Sequence, residues 1–173
     1  AADVDRLETL SRFDRDGLEE RAEQAASAAR ELGLGELERR ARLVEVDLQR
    51  RRGNIAEAGR RAQDLQRWAT DHDARHLLAR THFVLAAVYQ ELGDLSLALE
   101  HAVRSVDLLD DDVAPEMRID HHARLGDCLG LSGDTTARDR YDRVLRMAEE
   151  IGDVDRQALV LNNRAYCETL TGC

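Results

Sequence analysis

Histidine residues give this chain its nearest approach to a metal-binding pattern. His72 and His76 lie four residues apart with aspartates on both sides of His72, and His82 precedes His122 by 40 positions. A zinc site needs three or four ligands that converge tetrahedrally. His121 and His122, however, point about 100° apart on a helix, and no glutamate lies between His72 and His76 as in a metalloprotease. We therefore expect no metal site and no cofactor.

Residue patterns that carry enzymatic chemistry are also missing from the sequence. It has no glycine-rich phosphate loop and no nucleophile elbow, and its few serines have no histidine partner within one motif. Carboxylates are abundant, but they recur with the period of exposed helix faces. We therefore expect a protein that is not an enzyme.

A basic corner is predicted where residues 50–52 and 60–61, all arginine, flank a turn. Three interpretations remain open: nucleic-acid contact, a docking surface for an acidic partner, and a solvated corner neutralised by Glu45, Asp47 and Glu57. The net charge of −10 and the lack of interleaved aromatic residues argue against nucleic acid. The acids close by in the sequence favour the solvated corner.

A period of about forty residues predicts the elements that position these side chains. A glycine followed by asparagine or aspartate occurs at Gly53, Gly93 and Gly133, at intervals of 40 positions, and Gly172 follows 39 later. A second series of turn residues falls midway between them. A fixed period of this size is typical of repeat arrays. Such arrays stack helical hairpins, so that each repeat contacts only its neighbours.

Apolar residues at helical spacing place the helices between these turns. Gly93 is expected to end one helix in the left-handed conformation, and Asp94 is expected to cap the next helix. Pro115 suits the first turn of a helix, where its missing N–H is not needed. The same reading predicts helices near residues 3–12, 17–32, 36–51, 55–70, 74–92, 95–109, 115–132, 135–151 and 154–171.

In the middle of the chain, a large-small pair is followed by a tyrosine, a glycine and two alanines. These residues are Leu85, Ala86, Tyr89, Gly93, Ala98 and Ala102. The order resembles a tetratricopeptide repeat. In that family the large-small pair packs against the partner helix, the glycine makes the turn, and the alanines let the helices approach closely.

The resemblance implies an all-α fold, a right-handed superhelix of antiparallel helix pairs. The period of forty is similar to a long-repeat variety found in bacterial signalling and regulatory proteins. We expect the chain to be a piece of a longer protein. As a single array it would contain a partial repeat at 1–32, repeats at about 36–72, 74–112 and 115–152, and a half repeat at 154–173.

In tetratricopeptide proteins the first helix of each pair lines a concave groove. The resemblance places nine polar or aromatic residues there: Arg40, Asp47, Arg80, Phe83, Arg124, Asp127, Asn162, Asn163 and Tyr166. Arginine forks can bind carboxylates, and peptide-binding members of the family use asparagines to hold the ligand backbone. Solvated helix faces with internal ion pairs are the alternative for single residues, and an internal bridge between helices is the alternative for Asn163.

These observations predict a non-catalytic module that binds a protein or peptide in the groove, without nucleic acid or membrane contact. By resemblance, it would be the sensory or docking domain of a larger bacterial signal-transduction regulator. The output domain of that regulator would be, for example, a diguanylate cyclase or a DNA-binding domain.

The alternative function is a structural dimerisation scaffold without a groove ligand. A homodimer would then form through the C-terminal end, where Val160, Leu161, Ala165 and Leu170 are expected to lack a partner helix.

The cysteines indicate the compartment. Cys128 and Cys167 occupy equivalent places in adjacent repeats, where helix axes lie about 10 Å apart. That separation is too large for a disulfide, which needs Cα atoms within about 7 Å. Reduced cysteines predict a cytoplasmic protein.

Overall fold

A computed structural model of the protein describes residues 2–10 and 17–171. Within those ranges the chain is all-α, as predicted, and forms no strand. The helices are α1 (Ala2–Leu10), α2 (Leu18–Glu31), α3 (Gly35–Arg51), α4 (Ile55–Asp71), α5 (Arg75–Glu91), α6 (Leu95–Asp107), α7 (Pro115–Leu131), α8 (Ala137–Glu150) and α9 (Val154–Thr171). None of the helices in the described part of the chain is long and apolar enough to cross a membrane.

The helices pack in the order of the sequence, each against the next. A second set of contacts joins α1 to α3, α3 to α5, α5 to α7 and α7 to α9. Among the described residues, no two even-numbered helices pack together to a similar extent. We call α1, α3, α5, α7 and α9 the odd layer. Its helices are in mutual contact, whereas the even-numbered helices are held apart.

The turn at Gly93 confirms the predicted helix end and cap. Gly93 has a φ of 80°, a left-handed conformation in which a side chain would be strained. The backbone N–H of Asp94 donates to the carbonyl oxygen of Tyr89 at 2.9 Å. The Asp94 carboxylate accepts from the backbone N–H of Leu97 at 3.0 Å and so caps α6.

Two predicted boundaries shift for local reasons. Helix α8 begins at Ala137, two residues later than predicted, because the Asp134 carboxylate accepts from both the backbone N–H and the hydroxyl of Thr136. These bonds hold the start of the segment as a separate turn. Helix α6 ends at Asp107, and the connection over residues 108–114 is longer than the turns that join α2 to α3, α3 to α4, α4 to α5, α5 to α6, α7 to α8 and α8 to α9.

Small residues set the spacing of the helices in the middle of the array. Ala98 and Ala102 on α6 are fully buried and pack with Ala86 on α5 and with Leu125 and Cys128 on α7. A methyl group at each position lets α6 lie close to both neighbours. This contact is the one that the two alanines of the repeat predicted.

Replacement of Ala98 by leucine should overpack this contact. Extra methylenes in a well-packed core cost roughly 1–3 kcal/mol, and Ala98 has no exposed surface through which a longer side chain could escape. The control is Ser96→Leu on the exposed side of the same helix, which should leave stability nearly unchanged. Urea unfolding measures both. Equal stability of Ala98→Leu and the parent would contradict the packing described.

Candidate binding surface on the odd-numbered helices

The nine residues predicted to line a groove all lie on the odd layer. They lie on α3 (Arg40, Asp47), α5 (Arg80, Phe83), α7 (Arg124, Asp127) and α9 (Asn162, Asn163, Tyr166). The residues on α3, α5 and α7 are buried or nearly so, whereas Asn162 and Tyr166 are exposed. The odd layer therefore has a charged interior between its helices and an exposed polar surface on α9.

Arg40 joins α3 to α1 through a buried carboxylate. Its guanidinium donates from Nε to Glu8 Oε1 at 3.1 Å and from Nη2 to Oε2 at 2.7 Å, and also contacts Asp5. His76 Nε2 on α5 donates to Glu8 Oε2 at 3.2 Å. Burial alone would raise the pKa of Glu8, but the hydrogen bonds from His76 and Arg40 and the charge of Arg80 lower it to about 2. Glu8 is thus an ionised carboxylate that three helices share.

Asp47 is a second buried carboxylate, and its partners are arginines of its own helix, α3. Its carboxylate accepts from Arg50 Nε at 2.8 Å and from Arg51 Nε at 3.0 Å, and Arg50 also pairs with Glu91 on α5. Burial tends to raise the pKa of Asp47, but the charges and hydrogen bonds of the two arginines lower it to about 2. The carboxylate stays charged although it is only 3% exposed.

The remaining arginines of the basic corner are paired as well. Arg52 pairs with Glu19, Arg60 with Glu57, and Arg61 with Glu45 at 3.3 Å. Every arginine of the corner therefore has an acidic partner within the chain, which is the arrangement expected of a neutralised corner.

Arg156 joins α9 to α7. Its Nε and Nη2 donate to the two carboxylate oxygens of Asp120 at 2.9 and 3.0 Å, in the two-bond geometry that arginine favours. Its Nη1 donates to Asp153 at 2.6 Å. Arg156 is buried beside these partners, with 4% of its surface exposed. Arg156 was not among the predicted site residues. Its ion pair with Asp120 depends on the packing of α9 against α7, which the sequence does not show.

Asp127 and Asn163 form a second connection between α7 and α9. The Asn163 amide donates to both oxygens of Asp127 at 3.1 Å, and the Tyr141 hydroxyl donates to Oδ1 at 3.0 Å. Burial and the charge of Asp127 raise the pKa of Tyr141. The structure therefore places Asn163 in an internal bridge, the alternative to a contact with a ligand backbone.

Arg80 and Arg124 flank one aromatic ring. The guanidinium carbon of Arg80 lies 5.4 Å from the centroid of Phe83, and that of Arg124 lies 5.3 Å from it, both within the range of cation–π attraction. The ring of His121 stacks on Phe83 at 4.7 Å between centroids. Arg124 Nη1 donates to Gln90 on α5 at 3.3 Å. Arg80 is 4% exposed, and among the described residues no group accepts a hydrogen bond from its Nε.

The histidines are dispersed into separate contacts. His82 Nδ1 lies 2.8 Å from His101 Nδ1, His72 stacks on Trp68 at 4.0 Å between centroids, and His76 binds Glu8. In residues 2–10 and 17–171, no three histidine, cysteine or acidic side chains are arranged to hold a metal ion.

A cavity of about 400 Å³ lies between α1, α3, α5 and the connection that precedes α7. Its lining includes Arg40 and His76 together with Leu109, Val113 and Met117. The sequence reading missed this cavity because it treated residues 110–112 as one more short turn. The length of the 108–114 connection was the signal that could have revealed it.

The C-terminal helix differs from the prediction at one residue. Val160 is 1% exposed and packs with Ile119 and Ala123 of α7, so it is covered. Leu161 and Ala165 are exposed, as predicted, and the side chain of Leu170 lies outside the described residues. Helix α9 turns its apolar stripe inward because α7 and α8 both pack against it.

Comparisons of this chain with protein-family models, with curated proteins and with solved structures found no match.

Removal of the Arg156 guanidinium should destabilise the protein strongly. In Arg156→Met the carboxylates of Asp120 and Asp153 lose their shared cation, and breaking a buried pair costs roughly 3–5 kcal/mol. The control is Arg146→Met on the exposed face of α8, which should change stability by less than about 0.5 kcal/mol. Chemical unfolding compares them. If both variants lose a similar amount of stability, or if neither loses any, the role of Arg156 as the connection between α7 and α9 is contradicted.

Acid should destabilise the protein below pH 6.5, before most carboxylates titrate. Burial lowers the pKa of His121 to about 3 and those of His82 and His122 to about 4. In the unfolded chain a histidine has a pKa of about 6.5. Between these values the unfolded state binds more protons, so the free energy of unfolding falls as the pH falls.

His121→Asn isolates one of these groups. The asparagine amide can replace the Nδ1–H that donates to the Ser105 carbonyl oxygen at 3.2 Å and does not titrate. Between pH 6.5 and 4, the slope of unfolding free energy against pH should fall by about one proton. An unchanged slope in the folded variant would show that His121 is not held neutral by burial.

Proposed function

We propose that this protein is a non-catalytic module of the tetratricopeptide kind that binds a protein or peptide on the odd layer. The fold proposed is a right-handed superhelix of antiparallel helix pairs. One observation carries the proposal: successive odd-numbered helices contact each other, while the even-numbered helices are held apart. An array with this asymmetry curves toward the odd layer, and curvature of this kind creates extended concave binding surfaces.

Exposed polar and aromatic groups on the odd layer support the same proposal. Tyr166 is 59% exposed, and Asn162 lies one turn before it on the same face of α9. Aromatic side chains provide large contact area in protein interfaces, and amides pair readily with peptide backbone. These two residues are the part of the predicted groove that is open to a partner.

The wider role is proposed from the resemblance. By that resemblance, the array serves as the sensory or docking domain of a larger regulator, here a bacterial signal-transduction protein with its own output domain. The side chains of Cys128 and Cys167 are buried, and burial raises the pKa of Cys128 to about 12. Unreactive thiols of this kind support a cytoplasmic location.

A dimerisation scaffold is the second candidate function, and Leu161 favours it. This residue is 49% exposed on α9, and an exposed apolar side chain on the last helix is suited to contact with a second copy. The two functions use different residues of the same helix, so they can be separated by experiment.

The test compares two variants of α9. Peptides are selected from a random displayed library against the protein, and their affinities are measured for the parent, Tyr166→Ala and Leu161→Ala. We expect Tyr166→Ala to weaken binding by about tenfold, a typical effect at an aromatic contact, and Leu161→Ala to have little effect.

Sedimentation of the same three proteins completes the test. A monomer in all three supports the binding module. If no peptide is selected, and the parent sediments as a dimer that Leu161→Ala dissociates, the scaffold is the correct function.

A further inference from the structure

The cavity beside the 108–114 connection has the size and the access of a binding site. Its volume of about 400 Å³ falls within the range of pockets that hold ligands, about 300–1,000 Å³. Its lining combines residues that are exposed to solvent, Asp5, Asp112 and Ala114, with residues that are buried, Ala79 and Met117. The cavity therefore leads from solvent into the interior of the odd layer.

Apolar side chains make up much of the lining. Leu108, Leu109 and Val113 belong to the connection and are half-buried, and Met117 on α7 is 7% exposed. Removal of such apolar surface from water is favourable. A ligand group with an alkyl chain would gain stability by packing against these residues.

Hydrogen bonds hold the connection in place before any ligand binds. Arg118 Nη2 donates to the carbonyl oxygens of Asp110 and Asp111 at 2.8 and 3.1 Å. Arg75 Nε donates to the Asp110 carboxylate at 2.7 Å, and the backbone N–H of Val113 donates to the Asp110 carbonyl oxygen at 3.3 Å. A site that is already ordered costs less conformational entropy on binding.

The charge of the lining favours a cation. Its described residues include three aspartates and one arginine, Arg40. Arg40 binds Glu8, and Asp110 is bound by Arg75. Among the residues that the structure describes, none donates a hydrogen bond to the Asp112 carboxylate or forms an ion pair with it. Asp112 is therefore available to a positively charged group that enters from solvent.

We propose that this cavity binds a lysine or arginine side chain of the protein segment that docks on the odd layer. The stem of that side chain packs on Leu109 and Val113, and its cationic group pairs with Asp112. Lysine and arginine commonly bury their stems along apolar surface and keep the charged head at the surface. This inference rests on the proposed function for the identity of the ligand. The cavity selects basic segments over neutral or acidic ones.

The experiment uses the methionine methyl groups as reporters. The chain has two methionines: Met117 lines the cavity, and Met147 lies on α8, outside the described lining. The protein with ¹³C-labelled methionine methyl groups is titrated by NMR with Nα-acetyl-lysine amide and with Nα-acetyl-arginine amide. We expect a saturable shift of the Met117 signal with at least one probe and none of the Met147 signal. The tighter probe identifies the side chain.

Nα-acetyl-norleucine amide is the matched control probe, because its side chain is the lysine stem without the ammonium group. We expect it to bind about fivefold or more weakly than the better cationic probe. Two results would overturn the proposal: no saturable Met117 shift with either cationic probe, or norleucine binding as tight as theirs.

Two variants of neighbouring aspartates locate the cation. Asp112→Asn should bind the better cationic probe about threefold or more weakly, the size of effect expected for an exposed ion pair. Asp111→Asn removes the same charge one residue away, outside the described lining, and should bind close to the parent. Both variants should unfold at the temperature of the parent. Equal binding by the two variants, or a lower unfolding temperature of Asp112→Asn alone, would contradict the pairing with Asp112.

The result separates this inference from the proposed function. The amino-acid probes report on the cavity whether or not a displayed peptide is selected. Conversely, selected peptides that depend on Tyr166 but leave the Met117 signal unshifted would support the proposed function and remove the cationic pocket.

Discussion

Ion pairing between successive odd-numbered helices is the constraint on which the rest of this structure depends. A repeat array has no single core, so each helix must be fixed to the next by local contacts. Here buried carboxylates make several of those contacts. Glu8 is bound by Arg40 across α1 and α3, and Asp120 is bound by Arg156 across α7 and α9. Because a buried charge is costly without its partner, each pair fixes how two odd-numbered helices face each other.

The same internal ion pairs and hydrogen bonds determine which side chains remain accessible to a ligand. Buried or half-buried polar side chains such as Asp47 and Asn163 make hydrogen bonds within the chain. Tyr166 and Asn162 remain exposed. The proposed binding surface therefore consists of the groups that the internal connections leave over.

The sequence period predicted the positions of the helices well, but it predicted poorly which side chains pair between them. The turn at Gly93 and the cap at Asp94 depend on neighbouring residues only, so their local chemistry was sufficient. The family pattern also placed every predicted groove residue on the odd layer. Some partners of those residues lie one repeat away, as Asn163 does from Asp127, and those contacts depend on how two helices are aligned. No sequence period specifies that alignment, which is why the sequence left two interpretations of Asn163 open and predicted Val160 to be uncovered.

The central claim is that the array curves with the odd layer on its inner side. Pulsed electron spin resonance measures it directly, through spin labels attached to exposed residues near the starts of the helices. One pair of labels at Arg75 and Asp155 spans α5 and α9, and a second pair at Glu57 and Asp139 spans α4 and α8. In each pair of labels, the two labelled helices are two helix pairs apart along the chain. The account predicts a shorter distance between the odd-numbered helices than between the even-numbered ones, and equal distances or the reverse order would contradict it.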